Sequence, residues 1–589
     1  MKKYFQIIFF IILLNYSTSQ LEHRLEGRPI SSEQESEMIL NPFDGDISTE
    51  FISSNDENGW IGIELSSPSI ITKIGFFHNT PDVNLYLLGI FEGANDITFF
   101  DSVPLHMITQ EEDNDKINYI KISCNKSFKY IRYIGPKYSN SFISEFEFYG
   151  KESKEENRFE SENIYQPSNI PLLIINTENG KMFETNDKEI KINSNILIIN
   201  KGKIDVKSKG TVNLRGNSSL KTDKKSYTIN LSEKIKILDN PSSAKKWVLI
   251  SNIYDKTLIR NALAYKISSL LKLKFIPSCR YIDLIFNGKF MGNYLICDKI
   301  EVSEERLNIT KMDETCTKEP ELSGGYLIEG DTNGKKDKTY FKTNQGIRFS
   351  IKYPKKETIT KEQYNYIVNK FNFIESEIYD NNINNIDVES FAKYFIVEEF
   401  CGNVDAVYNS FYLFKERNDD KIYFGPVWDM DLAFDNSYIL FPTNEKKNFA
   451  YKFTIANGST KKIVSKLLSN EIILKNIKKK WDKMINSVLT KEYINNYINE
   501  QYEYIYESQK LNFVRWKVLG GRIFMEPQIF ENYDEEVNYL KQFIEERFDT
   551  FGKIVSSSTT ESVLEEYETQ WDNMGSDEDD DGVYGWEEN

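Results

Sequence analysis

At 589 residues the chain is too long for one ordinary domain and long enough to bury several hydrophobic cores. Its composition, 40% hydrophobic and 14% aromatic, excludes a wholly disordered protein. The net charge is -17, with 90 acidic against 73 basic residues, and this balance argues against binding to nucleic-acid phosphates. We therefore expect a multidomain globular protein with no nucleic-acid partner.

The first residues have the pattern of a secretion signal. Lys2 and Lys3 precede an apolar run over residues 4–14, and small polar residues follow. This pattern predicts a signal peptide over residues 1–19. An uncleaved anchor helix is the alternative, although the run is shorter than the roughly 20 residues that span a membrane. We expect the mature protein to be secreted, on the cell surface or in the secretory-pathway lumen, with no transmembrane span.

Candidate modification sites fit that route. N-glycosylation is predicted at the sequons of Asn125, Asn230, Asn308 and Asn457. The five cysteines lack the close spacing of metal ligands and are too few for a disulfide scaffold. One or two bridges fit the count, and the sequence leaves their pairing undetermined.

Residues 27–151 alternate between apolar and polar positions in short segments separated by turn residues. Segments 60–65, 70–77 and 130–133 show this period of two. The pattern predicts an all-β sandwich.

This segment resembles the discoidin, or coagulation factor 5/8 type C, family. Residues 43–46 (FDGD) and 144–150 (SEFEFYG) are among the stretches that carry the resemblance. It implies a module that binds a glycan or a lipid head group through loops at one end of the sandwich. Asp44, Asp46 and Thr49 are then either turn residues or a structural Ca²⁺ site.

A larger domain follows the sandwich. Residues 152–169 are polar and charged and predict a linker. Strand-like segments come first in residues 170–552 and helical periodicity comes later, which predicts an α+β domain with two lobes. Residues 556–589 are rich in Ser and Thr and then acidic, and they predict a disordered tail.

Histidine is absent from this larger domain. The three histidines of the chain, His23, His78 and His106, all precede it. Ser-His-Asp and Cys-His hydrolases, His-ligated zinc sites and His phosphotransfer each need an imidazole and are therefore excluded there. Chemistry run by carboxylates, amides and cations remains.

Acidic and amide side chains cluster in the second half of the domain. Asp405 and Asn409 are four residues apart, and Asp429 and Asp431 follow after a strand-like hairpin. Oxygen ligands of this kind favour Mg²⁺ or Mn²⁺. Without a histidine to activate water, phosphoryl transfer fits this set best. Helix caps, turns or solvated loop acids are the alternatives for these carboxylates.

A small polar turn lies upstream, at residues 214–219 (LRGNSS), and Lys224 and Lys225 follow it. Backbone N–H groups in such a turn can approach a phosphate, and a lysine on the next strand can neutralise it. An ordinary hairpin with solvated lysines is the alternative.

The domain resembles the spore coat protein H (CotH) kinase family over residues 170–552. The carrying motifs, in order, are residues 214–219, 254–262, 288–295, 323–329, 402–405 and 426–434. Members are similar to atypical secretory-pathway protein kinases that use ATP and a divalent metal to phosphorylate serine in Ser-rich proteins. The resemblance therefore implies an atypical Ser/Thr kinase with ATP and Mg²⁺ or Mn²⁺ as cofactors.

The resemblance also implies roles for individual residues. Asp405 corresponds to the carboxylate that orients and deprotonates the acceptor hydroxyl, and Asp429 to the metal-binding aspartate. Asp431 and Asn409 are further metal ligands. The sequence departs from the usual kinase pattern in the Asp405–Asn409 spacing, which is four rather than five, and in Met430 between the two aspartates.

Nucleotide contacts are assigned in the same way. Lys225 is expected to hold the α- and β-phosphates with support from Arg215. Tyr294 and Tyr423 are expected to stack on the adenine.

A second function belongs to another class. Some proteins that look like this family act as surface ligands, so an adhesin or pseudokinase that binds a carbohydrate, a membrane or a host receptor is the alternative to an active kinase.

Overall fold

The chain folds as two compact units, each built from three stretches of sequence. Met1–Ile253, Ser278–Lys299 and Gln501–Val518 form the first unit, and Tyr254–Pro277, Ile300–Glu500 and Leu519–Asn589 form the second. The computed structural model describes residues 22–33, 37–55, 58–153, 163–330, 339–406, 409–438, 448–452 and 458–563. The predicted signal peptide, the sequon at Asn457 and the tail beyond residue 563 lie outside these residues.

The first unit begins with the predicted β-sandwich. Its strands are β1 (His23–Arg24), β2 (Gly27–Ser31), β3 (Ile61–Phe77), β4 (Ile90–Ala94), β5 (Val103–Met107), β6 (Asn118–Lys121), β7 (Ser127–Ile134) and β8 (Glu145–Glu152). They run in the order β1-β8-β3-β7-β4-β5, with β2 and β6 also pairing with β3. The register of β3 against β7 shifts between Glu64 and Ser69. On its other edge, β3 pairs first with β2 and then with β8. The sandwich starts at His23, before the predicted boundary at residue 27.

A closed β-barrel follows. It contains β9 (Leu172–Thr177), β10 (Ile192–Asn200), β11 (Lys203–Arg215), β12 (Ser226–Lys236), β13 (Ser243–Ile250), β14 (Cys279–Phe286) and β15 (Lys289–Asp298). Neighbouring strands are antiparallel except β14 and β9, whose parallel pairing closes the barrel. Alternate residues point inward, and fully buried Trp247, Ile282, Phe286 and Tyr294 belong to the barrel core.

Sandwich and barrel share one hydrophobic core within the first unit. Ile164, Leu172 and Leu197 belong to the same buried cluster as the sandwich residues Phe91 and Tyr133. The described part of the predicted linker takes part in this packing, because Ile164 is buried and its N–H donates to the carbonyl of Gly202 over 2.7 Å.

The second unit combines a sheet with helices. Its strands are β16 (Tyr326–Gly330), β17 (Tyr340–Lys342), β18 (Arg348–Tyr353), β19 (Phe411–Lys415) and β20 (Ile422–Phe424). They form an antiparallel sheet in the order β17-β18-β16-β19-β20. The helices of the chain, in order, are α1 (Arg260–Leu271), α2 (Lys361–Tyr379), α3 (Val388–Cys401), α4 (Gly458–Leu468), α5 (Glu471–Ile485), α6 (Lys491–Tyr504), α7 (Tyr506–Arg515) and α8 (Tyr533–Ser557). Of these, α7 lies in the first unit, and α6 crosses from the second unit into the first.

Local sequence explains where the site-bearing helix starts and stops. Helix α3 begins after Asp387, whose carboxylate accepts the N–H of Ser390, and it ends at Gly402, which takes the left-handed conformation (φ 62°). Aromatic residues hold this helix in the core, since Phe400 packs on Phe548 and Trp481.

The predicted fold class, an all-β sandwich followed by an α+β domain, is confirmed. The described chain continues to Val563, which is buried, so folded structure extends past residue 556. No helix within the described ranges is long and apolar enough to cross a membrane.

Candidate active site

Asp405 lies in a tight loop directly after helix α3. The Asn403 amide donates to the carboxylate of Glu398 over 2.8 Å, and its carbonyl oxygen accepts the N–H of Asp405 over 3.1 Å. Glu398 and Asn403 are buried, whereas Asp405 is half-buried. The loop therefore fixes the backbone of Asp405 while its carboxylate keeps some contact with solvent.

Asp429 and Asp431 lie in a second segment, held by two buried amides. The side-chain carbonyl of Asn261 accepts the N–H of Met430 over 2.9 Å. The amide of Asn436 donates over 2.7 Å to the carbonyl of Asp431 and also to that of Tyr254. These bonds hold the backbone of the segment that carries Asp429 and Asp431.

Asp429 also faces the loop that follows Asp405. Its carboxylate accepts a hydrogen bond from the Ser410 hydroxyl over 3.2 Å, and its own backbone has the left-handed φ of 62°. Non-glycine residues adopt this conformation at a free-energy cost of about 1 kcal/mol or more, which surrounding contacts must offset.

The carboxylates repel one another. Burial, followed by the charges of Asp429 and Glu398, raises the pKa of Asp405 to about 7. Burial raises the pKa of Asp431 well above its usual range, and the charges of Asp429, Asp255 and Asp405 add to that effect. The structure thus brings Asp405, Asp429 and Asp431 into one cluster, as the sequence predicted, and adds Asp255 to it.

Asp255 is held by Arg260. The fully buried carboxylate of Asp255 accepts two hydrogen bonds from Arg260. One comes from the guanidinium over 2.6 Å and the other from the backbone N–H over 2.8 Å. Two further guanidinium nitrogens of Arg260, Nε and Nη2, are buried and have no hydrogen-bond partner among the described residues. Arg260 is a compensating positive charge for the cluster, and the sequence interpretation assigned it no role.

Asn409 lies beside Asp405, and its N–H donates to the Asp405 carbonyl over 3.3 Å. Within the described ranges, however, no group of three or more His, Cys, Asp or Glu side chains is placed to hold a metal ion. Mg²⁺ commonly takes only one or two protein carboxylates, together with phosphate oxygens and water. The oxygen donors and their mutual repulsion therefore fit a cation shared with a nucleotide, rather than one in a protein cage.

The predicted nucleotide contacts are divided between the two units. Arg215, Lys225 and Tyr294 belong to the first unit, and Tyr423 belongs to the second. The ammonium of Lys225 donates to the carbonyl of Leu220 in the turn that precedes it.

The prediction for Tyr294 is wrong. Its ring lies inside the barrel with no exposed surface, and its hydroxyl donates to the Lys225 carbonyl over 2.9 Å. Stacking on adenine needs an open ring face, and this ring has none. Tyr423 is half-buried and stacks on Phe414 with ring centroids 5.1 Å apart, and the Lys274 ammonium lies 5.9 Å from its ring centroid.

The buried lysine of this region is Lys224, the neighbour of the predicted Lys225. Its ammonium donates to the Asn293 carbonyl over 2.6 Å and to the Asn512 side chain over 2.9 Å. Burial lowers the pKa of Lys224 to about 7. Alternation would have placed one of the two lysines inside, but the sequence did not indicate which.

In the sandwich, Asp44 and Asp46 both make turn contacts, and Asp44 accepts the N–H of Asp46 over 2.8 Å. Asp46 accepts the N–H and hydroxyl of Ser48, as a turn residue does. Asp44 accepts the Thr49 hydroxyl over 2.9 Å.

Asp44 also lies close to Glu145, a residue that the sequence interpretation did not assign to the site. Burial, and after it the Asp44 charge, raises the pKa of Glu145 to about 7. Its Oε1 atom is buried without a hydrogen-bond donor among the described residues, and it forms an ion pair with the Arg24 guanidinium over 4.0 Å. Carboxylate and hydroxyl oxygens are ligands that Ca²⁺ takes, so a Ca²⁺ titration distinguishes the two predicted alternatives for Asp44 and Thr49, turn residues or a Ca²⁺ site.

The described sequons differ in accessibility. Asn125 and Asn308 are exposed, whereas the amide of Asn230 on β12 donates to Thr211 and Asn213 over 3.3 Å. Glycosylation at Asn230 would have to break these bonds.

Comparison with known proteins identifies the second half of the chain. A family model described as CotH kinase protein matches residues 212–551, which is more than half of the sequence. No curated protein matches the chain significantly.

Three of the solved structures that match are small modules, each aligned with 22% of this chain. A CBM62 from Clostridium thermocellum Xyl5A has 29% identity and a TM-score of 0.21, covering 22% of this chain and 97% of its own. The F5/8 type C domain of a Bacteroides fragilis protein has 13% identity and a TM-score of 0.19, covering 22% and 98%. The family 32 CBM of Clostridium perfringens NanJ, in complex with galactose, has 15% identity and a TM-score of 0.18, covering 22% and 99%.

Replacing Asp405 by Asn should stabilise the protein at alkaline pH. The folded-state pKa of about 7 lies above the usual 3.8, so this carboxyl lowers the free energy of unfolding as pH rises from 3.8 to 7. Above pH 7 the whole loss of unfolding free energy caused by ionising the Asp405 carboxyl is present. We expect Asp405→Asn to raise the free energy of unfolding by about 1–3 kcal/mol at pH 8, with the gain vanishing near pH 4, measured by denaturant unfolding.

Asp313→Asn is the matched control for this measurement. Hydrogen bonds from Thr315 lower the pKa of Asp313, so its substitution should leave stability unchanged or slightly reduced at pH 8. A loss of stability in Asp405→Asn at pH 8 would contradict the electrostatic description of the cluster.

Calcium should stabilise the sandwich through Glu145. Ca²⁺ at about 100 times its dissociation constant adds about 2.7 kcal/mol to the free energy of unfolding. We expect Ca²⁺ to raise the melting temperature of the wild type but not that of Glu145→Gln, measured by calorimetry. An equal response of both proteins, or none in the wild type, would leave Asp44, Asp46 and Thr49 as turn residues.

Proposed function

The chain belongs to the CotH kinase protein family, and from this we propose that it transfers the γ-phosphate of ATP to serine or threonine hydroxyls of a secreted or surface protein. The observation that carries the proposal is the cluster in which Asp405, with a pKa of about 7, lies beside Asp429 and Asp431. A Ser-rich acceptor is the substrate class that the family resemblance suggests.

Asp405 is the proposed base. A general base is most effective when its pKa lies near the working pH, because it is then both partly ionised and able to take a proton. In the protein without nucleotide or metal, the half-buried Asp405 carboxylate has such a pKa. Asn403, which donates to Glu398, accepts the Asp405 N–H and so fixes the Asp405 backbone. It would orient the acceptor hydroxyl and accept its proton as the oxygen attacks the γ-phosphate.

Asp429 and Asp431 would hold Mg²⁺ or Mn²⁺ together with phosphate oxygens, with Asn409 as a further ligand. The bound ion would neutralise charge that develops on the transferred phosphoryl group. The protein contributes position: Asn261 and Asn436 hold the segment, and Arg260 holds Asp255 next to the cluster.

Substitution of the Asp405 or the Asp429 carboxylate should strongly reduce phosphate transfer. With ATP, Mn²⁺ and a Ser-rich acceptor, we expect Asp405→Asn to reduce the transfer rate by about 100- to 10,000-fold, since a general base contributes that much. Asp429→Asn should reduce the rate comparably and also weaken Mn²⁺-dependent binding of ATP. Label transfer and ATP-dependent thermal shift are the two measurements.

Asp313→Asn again serves as control, since Asp313 belongs to the same unit and should retain the wild-type rate. If the wild type binds ATP with Mn²⁺ but transfers no label to any acceptor, catalysis is contradicted and a pseudokinase remains. If Asp405→Asn retains the wild-type rate, Asp405 is not the base.

A surface-binding role for the sandwich is the second candidate. Large apolar side chains are exposed in two loops joined by backbone bonds between Phe51 and Ile143. They are Leu40 (60% exposed), Ile47 (42%), Ile52 (37%) and Tyr138 (64%). Such side chains can pack on a sugar ring or enter a membrane surface.

The full chain should therefore be retained on a glycan array or on anionic vesicles, and Leu40→Ser with Tyr138→Ser should weaken retention at least about tenfold. Ile190→Ser, which removes an exposed apolar side chain outside the sandwich, is the control. Absence of retention on every glycan and vesicle would contradict the adhesive role.

A further inference from the structure

Two cysteines lie directly opposite each other in the barrel. Cys279 is the first residue of β14, and its antiparallel partner on β15 is Cys297. Both are held as thiols in this structure. Neither residue is part of the candidate active site or of the proposed calcium site.

The hydrogen-bond pattern defines the kind of pair they form. The N–H of Asp298 donates to the carbonyl of Ser278 over 2.9 Å, so the bonded positions flank the cysteines. Cys279 and Cys297 therefore form a non-hydrogen-bonded pair, in which the Cα atoms of an antiparallel sheet are about 4.5 Å apart and the side chains are closest. A disulfide needs Cα atoms about 4.4–6.8 Å apart, so this position allows one without movement of the strands.

The two side chains also share one face of the sheet. Ile282 on β14 and Ile296 on β15 point into the barrel core. Cys279 is three residues before Ile282, and Cys297 is one residue after Ile296, so each cysteine points away from that core. Both cysteines therefore point to the outer face of the barrel. Cys297 is fully buried, whereas Cys279 is half-buried, so a small reagent can reach Cys279 first.

Charged groups of the first unit surround the pair. Burial, followed by the neighbouring Cys279 and the charge of Asp298, raises the pKa of the Cys297 thiol well above its usual value, and the charge of Arg215 opposes this only in part. The Arg280 side chain donates to the Cys279 carbonyl over 2.8 Å and to the Ser278 hydroxyl over 3.3 Å. The Arg280 contacts hold the backbone beside Cys279 in place.

We propose that Cys279 and Cys297 form a cross-strand disulfide when the protein meets a small-molecule disulfide such as oxidised glutathione. The Cys279 thiolate attacks one glutathione sulfur, which breaks the glutathione S–S bond and releases one glutathione thiolate that takes up a proton. The Cys297 thiolate then attacks the Cys279 sulfur, and the second glutathione leaves. One glutathione disulfide is reduced to two thiols as the two cysteines are oxidised.

The bridge would join the open end of the β14–β15 hairpin, whose turn lies at Asn287 and Gly288. Strand β15 also carries Asn293 and Tyr294. The Asn293 carbonyl accepts a hydrogen bond from the Lys224 ammonium, and the Tyr294 hydroxyl donates one to the Lys225 carbonyl. Cross-linking this hairpin restricts the unfolded chain and so stabilises the barrel strand that holds both lysines.

The test uses the full-length reduced protein, equilibrated with mixtures of oxidised and reduced glutathione. Remaining thiols are alkylated in denaturant, and peptides are mapped by mass spectrometry without reduction. We expect the thiol count to fall from five to three and a peptide linking Cys279 to Cys297 to appear. The melting temperature should be higher in the oxidised protein.

Variants distinguish this pair from the other cysteines. Cys279→Ser should keep its four remaining thiols, and Cys297→Ser should stop with glutathione on Cys279. Both variants should lack the Cys279–Cys297 link and its melting-temperature response, whereas Cys124→Ser should still lose two thiols. The proposal is overturned if Cys279 carries only glutathione while Cys297 stays alkylated, if either cysteine is linked to another residue, or if both stay reduced in oxidised glutathione.

Discussion

Repulsion among four carboxylates is the constraint around which the second unit is arranged. Burial, followed by the charges of Asp429 and Glu398, raises the pKa of Asp405. Burial, followed by the charges of Asp429, Asp255 and Asp405, raises that of Asp431, because little water screens these charges. The surrounding residues compensate in part. Arg260 pairs with Asp255, and buried amides hold the backbone on both sides of the cluster. Under the proposed function, a divalent ion would bring further positive charge to this cluster.

Much of this arrangement could be predicted from the sequence. Period-two alternation indicated the sandwich strands, and the switch to helical periodicity indicated an α+β domain. The absence of histidine left carboxylates as the chemical groups, and motif order placed Asp405 and Asp429 on either side of one hairpin, β19 and β20. A hairpin brings its two ends together, so residues 24 positions apart in sequence become neighbours in the cluster.

Other features depended on packing that the sequence does not reveal. Tyr294 was assigned to a nucleotide because it is aromatic and near a motif, but barrel closure turns alternate residues of β15 inward. Which of Lys224 and Lys225 is buried depends on strand phase, and Glu145 meets Asp44 only because strands distant in sequence pair in one sheet. The barrel joins the sandwich in one unit because both bury apolar side chains in a common core, which a polar linker in the sequence did not suggest.

The most direct test of the central claim is proton release when ATP and Mn²⁺ bind. A cation at the cluster should lower the pKa of Asp405 from about 7 and expel a proton at neutral pH. Titration calorimetry in buffers of different ionisation enthalpy measures that release. The account predicts a net release at pH 7 that is smaller in Asp405→Asn. A binding enthalpy that is the same in every buffer, for the wild type as for the variant, would contradict it.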